Sequence, residues 1–230
     1  MANTKTRLGG NTATFASMME NGFGVVTVMN AKVYDTSILT KDDALTSKFF
    51  GQTADKILTA LEGITTEEAG YICTLDTLKV ANATQEGPTK TVTGGQYSNP
   101  LIKFGKSARL EMQDALGNAK AIDALCGGVR EYDQATVGLH FGEDFQGPKT
   151  IVGESFFIDR KTGQQVPVRI VFYQFLPDSI FNLTQDAEGD ATVFDMNGDL
   201  LTTVIKLPDS NGTEIDHGVF YSILPATKAE

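Results

Sequence analysis

A change of period near the middle of the chain constrains the fold most. In LIKFGKSARLEMQ, residues 101–113, the apolar side chains Ile102, Phe104, Ala108, Leu110 and Met112 fall on one parity. Lys103, Ser107, Arg109, Glu111 and Gln113 fall on the other. A period of two is what a strand needs when one face meets a core and the other meets water. Gly105 sits inside this run and predicts a bulge or bend within a single strand. After Asp114 the spacing lengthens. Leu116, Ala119, Ile122, Leu125 and Cys126 share one side of a helix, with Asp114 the expected N-cap and Gly127-Gly128 the expected stop.

The strand signal recurs along the chain. GVVTVMNAKVY (24–34) and YICTLDTLKV (71–80) read as strands rich in β-branched residues. ATVGLHFGEDF sets Val137, Leu139 and Phe141 against Thr136, Gly138 and His140. TIVGESFFID and QVPVRIVFYQF flank RKTGQ, where Gly163 can supply positive φ to a hairpin turn. SIFNLTQD, ATVFDMNG, DLLTTVIKL and HGVFYSIL complete the set, separated by the turn signals DAEGD, NGD and PDSNG. ANATQEGPTK reads as a polar loop. Ile57, Leu58 and Leu61 mark a short helix that Gly63 should end.

These elements predict a mainly β chain. It should be an antiparallel β-sandwich or barrel with one packed side helix, a short second helix and an extended N-terminal arm. Residues 1–23 form the expected arm and 24–230 a single β domain. At 230 residues with 41% hydrophobic side chains, one substantial core is affordable.

The net charge of -10 argues against a surface that grips nucleic acid, which needs clustered Lys and Arg. A negative wall that nucleic acid must slide past remains compatible with it. Cys73 and Cys126 are too few for a disulfide scaffold and read as buried thiols. The polar, Gly-rich start lacks an apolar run suited to a signal peptide or membrane span, so synthesis and folding in a cytoplasm are expected.

Chemistry is sparse. His140 and His217 are the two histidines, and no GxSxG, HExxH, CxxC or phosphate-loop motif accompanies them. The run DAEGDATVFDMNGD gathers Asp186, Glu188, Asp190, Asp195, Asn197 and Asp199, but lacks the sixth-position Gly and closing Glu of a calcium-binding EF-hand loop. The pairs Asp42-Asp43 and Glu67-Glu68 point in different directions and suit a first helical turn better than an acid–base dyad. The expectation is therefore no catalytic residue, no metal and no cofactor.

One pattern goes further. Thr93-Gly94-Gly95, a short polar turn, the alternating segment Leu101–Met112 and the junction Glu111 with Asp114-Ala115-Leu116 resemble the tail tube (major tail) proteins of bacteriophages. LPDSIFNLTQDAEGDATVFDMNGDLL is similar to the closing hairpin of that family. The resemblance spans roughly residues 92–201. It implies a structural virion subunit that forms homo-hexameric rings, stacked as a hollow tube alongside other tail proteins. Phage DNA would pass through the lumen without specific binding. The subunit would be made in the host bacterial cytoplasm and end in the virion tail. Two other classes fit the same residues: another virion β-protein, such as a tail terminator or capsid decoration, and a ligand-binding β-sandwich module. The absence of Trp weighs against the last as a sugar binder.

Overall fold

The computed structural model describes residues 23–25, 28–36, 53–64, 70–76, 78–87, 89–91, 101–103, 105–114, 118–133, 135–143, 145–159, 163, 165–180 and 194–226. The chain is mainly β, dominated by one large antiparallel sheet with two helices. In order the elements are β1 (Phe23–Val25), β2 (Met29–Asp35), α1 (Ala54–Glu62), β3 (Tyr71–Leu75), β4 (Leu78–Glu86), β5 (Thr89–Thr91), β6 (Leu101–Lys103) and β7 (Ser107–Asp114). They continue with α2 (Ala119–Cys126), β8 (Gly128–Asp133), β9 (Ala135–Phe141), β10 (Lys149–Asp159), β11 (Gln165–Pro177), β12 (Phe194–Leu200), β13 (Thr203–Pro208), β14 (Glu214–Val219) and β15 (Tyr221–Pro225).

The main sheet runs β3-β2-β10-β11-β12-β7-β4. Its end strands are consecutive in the chain. Laid flat, seven strands at about 4.8 Å spacing would hold those ends roughly 29 Å apart. The three peptide units from Leu75 to Leu78 reach only about 11 Å. The sheet must therefore curl until its ends approach, although β3 and β4 do not pair and the barrel stays unclosed.

The long β10–β11 hairpin is its spine. β10 takes β2 along Lys149–Glu154 and β1 along Phe157–Asp159. β11 takes β15 along Val168–Phe172 and β12 along Phe175–Pro177. Alternation then serves two large cores, with a smaller cluster of Phe157, Val166 and Val168 toward the hairpin's turn. Ile151, Ile170 and Phe172 point to the inner core with Val33, Leu110, Met112, Leu125 and Met196. Val152, Val171 and Tyr173 point outward, where Ile57, Leu58 and Leu61 of α1 cover them together with Tyr34 and Ile205. Those three helix residues have no exposed surface, as their spacing predicts.

Several expected boundaries move. Residues 24–34 form two strands, β1 and β2, with Asn30 in the left-handed region at φ 47 and Val28 buried between them. Gly153 allows this, because a Cβ there would lie 2.3 Å from Val28 Cγ1. The expected loop ANATQE is the far part of β4, held by cross-strand pairing with β7 that propensity does not encode. Residues 101–113 are two strands. Gly105 lies in the exposed break between β6, which pairs with β5, and β7, which pairs with β4. Nothing stands within 4 Å of a Cβ built there, so neither a bulge nor a close approach requires this glycine.

Asp114 is not the helix cap. It ends β7, buried, and Asn118 caps α2 by accepting a hydrogen bond from the Lys120 amide at 2.9 Å. Gly127 ends α2 in the left-handed region at φ 73, as expected. NGD at 197–199 is not a turn but the middle of β12. The Cβ of any other residue at Gly198 would fall 2.2 Å from the Leu176 carbonyl. The two turns that hold are Gly163 between β10 and β11, and Asp209–Gly212 between β13 and β14. The expected SIFNLTQD strand does not begin at Ser179 and Ile180, which lie beyond the end of β11 and outside any strand. Its remainder, the acidic positions Asp186, Glu188 and Asp190, and the pairs Asp42-Asp43 and Glu67-Glu68 are outside the described residues. So is the expected arm up to residue 22.

Candidate interaction surfaces

Of the positions that carry the tail-tube resemblance, Glu111 and Asp114 are described, while Thr93, Gly94, Gly95, Ala115 and Leu116 lie outside the described residues. Asp114 is buried at the strand end. Glu111 is exposed on the outward face of β7, opposite Asn82 of β4 and Asn197 of β12.

That outward face is a polar ladder built by register. Arg109 stands opposite Asp199, and Nη1 donates to its Oδ1 at 3.2 Å. The other arm of Arg109 donates to Asp178, just past the end of β11. Gln113 stands opposite Asp195 and donates from Nε2 to Oδ1 at 2.8 Å. The hydrogen bond to Asp178 raises the Arg109 pKa further above its ordinary value, against a smaller desolvation effect. A cleft of about 290 Å³ opens beside the ladder, lined by Thr84, Glu86, Ser107, Arg109, Glu111 and Asp199. Its single guanidinium is already engaged by two carboxylates, so the cleft has no spare cation for an anionic ligand. Among the described residues no cluster of three His, Cys, Asp or Glu side chains is arranged to hold a metal ion.

Asp178 begins a second surface. Its amide donates to the Asn197 carbonyl at 2.8 Å. Ser179, at φ 55, accepts a hydrogen bond at Oγ from the Gln146 amide at 3.0 Å. These bonds hold two short segments together and leave Phe145 and Ile180 at the surface, 83% and 58% exposed. Val129 and Phe141, at the base of the β8–β9 hairpin, are also exposed. An aromatic stranded in the turn-rich run GEDFQGPK is the signal that could have marked Phe145 from sequence.

The third surface is the β13–β14 hairpin. The chain runs along the edge of β11 through β12 as far as Leu201, whose amide donates to Gln174 at 2.8 Å. It rejoins that edge at Tyr221, opposite Phe172. The hairpin is thus an excursion from an otherwise continuous strand path. Ile205 anchors its base on α1, and Asp209 ties its tip by accepting from the amides of Asn211 and Thr213. Glu214 through Gly218 are exposed.

The histidines are not brought together by any of these surfaces. His217 is exposed on β14, and His140 is exposed on β9. Buried titratable groups serve the cores. Burial pushes the Tyr34 hydroxyl up to about 12 and the Cys126 thiol up to about 11. Both cysteines are free and buried.

In comparisons with known proteins, no family model and no curated protein matches this chain. No helix among the described residues is long and apolar enough to cross a membrane.

Proposed function

We propose that this chain is a structural subunit of a bacteriophage tail tube, stacking as hexameric rings into a conduit for DNA. The order of elements and small motifs between residues 92 and 201 carries the reading. The fold is compatible with it in one respect: the sheet and both helices bury their apolar faces in packed cores, while hairpins, two exposed apolar side chains and a polar ladder lie at the surface, where neighbouring copies could meet them. The chain's acidity suits a wall past which DNA must slide.

Negative-stain microscopy of the concentrated, purified protein tests the reading. Tubes or stacked rings are expected. Single closed rings or particles that bind only preassembled capsids favour a terminator or decoration protein. A monomer stabilised by a small ligand favours a binding module and overturns the proposal. Within the same assay, deleting residues 2–17 is expected to leave a folded subunit that no longer forms tubes. An electrostatic map of the assembled ring should give the lumen a net negative potential.

A further inference from the structure

An asparagine followed by glycine is chemically labile in water. The glycine nitrogen can attack the asparagine carboxamide and close a five-membered succinimide, because glycine has no Cβ to shield that nitrogen or to restrict the backbone. The chain has three such pairs, Asn21-Gly22, Asn197-Gly198 and Asn211-Gly212. The first lies outside the described residues. The other two stand in opposite surroundings.

Asn197-Gly198 is in the middle of β12, with β7 on one side and β11 on the other. Asn197 stands opposite Glu111, and its carbonyl accepts from the Asp178 amide at 2.8 Å. Gly198 stands opposite Leu110 of β7 and Pro177 of β11. An extended backbone paired on both sides cannot turn to close the ring without breaking the sheet. Asn211-Gly212 is at the tip of β13–β14. Ser210, Asn211 and Gly212 are exposed, and Gly212 has φ 79. Nothing stands within 4 Å of a Cβ built on Gly212. One residue restrains this pair. The Asp209 carbonyl accepts from the Gly212 amide at 3.0 Å. Asp209 Oδ1 accepts from the amides of Asn211 at 2.8 Å and Thr213 at 2.7 Å. The attacking nitrogen is thus tied into the turn, but by exposed, local bonds that open when the tip alone frays.

We infer that Asn211 is a site of spontaneous deamidation and that Asp209 sets its rate. The Gly212 nitrogen gives up its proton to solvent hydroxide and bonds to Asn211 Cγ. The Cγ–Nδ2 bond breaks and ammonia leaves. Water then opens the succinimide at either carbonyl, leaving aspartate or isoaspartate at 211. The sequence of steps is redox-neutral, and water is its only co-reactant. Either product adds a negative charge to a tip that already carries Asp209, Glu214 and Asp216. Isoaspartate also inserts a methylene into the backbone, so the amides of Gly212 and Thr213 no longer match the Asp209 acceptors. The modified tip stays loosened, and the loss of ammonia makes the change one-way. The inference stands apart from the tail-tube reading, since it needs no second copy of the chain.

Peptide mapping by mass spectrometry tests it in the full-length chain, since Asn211 is the single asparagine between Lys206 and Lys228. The folded protein is held in mildly alkaline buffer well below its melting temperature, beside a sample unfolded in urea. Conversion to aspartate and isoaspartate is expected at 211 and not at 197 in the folded protein, and at both in urea. Asp209→Ala, which removes the carboxylate acceptor, should raise the rate at 211 about tenfold. Asp209→Ser, whose hydroxyl can accept from the same amides, should restore a slow rate. Asn197 should stay intact in both folded variants. A folded chain converted at 197 as fast as at 211, or intact at 211 while the urea sample converts, would overturn the site. A rate at 211 that Asp209→Ala leaves unchanged would overturn the role of Asp209. So would conversion of 197 in that variant, because it would mean that the sheet and not the tip had opened.

Discussion

In the β10–β11 hairpin, Ile151, Phe157, Val166, Val168, Val171 and Phe175 have no exposed surface; in the β13–β14 hairpin, Val204 and Ile215 keep 45% and 47% of theirs. Both hairpins are antiparallel, and both have a glycine of positive φ in the connection, Gly163 in one and Gly212 in the other. Their turn chemistry does not separate them. What separates them is neighbours. β10 and β11 have strands along both edges and packing on both faces, whereas among the described residues β14 pairs with β13 alone and Glu214 through Gly218 are exposed. The same local rule thus builds a core spine in one place and an exposed hairpin in another.

The largest expected effect lies where the spine meets its neighbour. Gly198→Val would push a Cβ into the Leu176 carbonyl and the Phe175 ring, neither of which can retreat from a paired strand. A loss above about 4 kcal/mol is expected, read as the absence of a cooperative melting transition. One substitution made in both hairpins sharpens the contrast. Ile151→Ala should cost about 2–5 kcal/mol by urea denaturation. Ile215→Ala should change stability by less than about 0.5 kcal/mol. Similar losses at the two sites would mean that β13–β14 belongs to the core.

Alkaline pH divides the regions in another way. Burial raises the Tyr34 hydroxyl from 10.0 to about 12, with the Glu62 charge adding to it. Burial, then Asp195, raises the Cys126 thiol from 9.0 to about 11. Each group is neutral when protonated, and the folded state holds the proton more tightly than the unfolded chain. The stabilising contribution is therefore whole below pH 9 for the thiol and below 10 for the phenol. It is lost as pH rises through about 11 and about 12. Urea midpoints should fall across this window, and Tyr34→Phe and Cys126→Ala should each flatten the fall. Asp216→Asn in the exposed hairpin should leave the profile unchanged. A smaller effect is expected at the exposed α2 cap: Asn118→Ala should lower stability by about 1 kcal/mol in the same denaturation assay.

The mainly β class, α1 with its buried face, the Gly127 stop and the Gly163 and Asp209–Gly212 turns were legible in the sequence, because each depends on contacts within a few residues. The misreadings have one cause. Ala81 to Glu86 look like loop and become strand because β7 supplies the pairing. Asn197-Gly198-Asp199 look like a turn and become strand because Phe175 and Leu176 need the space that only glycine leaves. Asp114 looks like a cap and ends a strand instead, since the helix starts later, at Asn118. The polar ladder shows the same division. Arg109, Gln113, Asp195 and Asp199 are recognisably outward by parity, but nothing local says that 109 faces 199 and 113 faces 195.

Residue order alone therefore determined which segments could be strands or helices and which side chain of each would seek apolar surroundings, since φ/ψ preference and hydrophobic period are properties of neighbours in the chain. Tertiary structure decided which strands pair, that β3 and β4 close round toward each other, and that β10–β11 is enclosed while β14 is left at an edge. Pairing and enclosure depend on partners distant in sequence, from β2 against β10 to β15 against β11, and a period-two pattern reads the same whichever partner it meets.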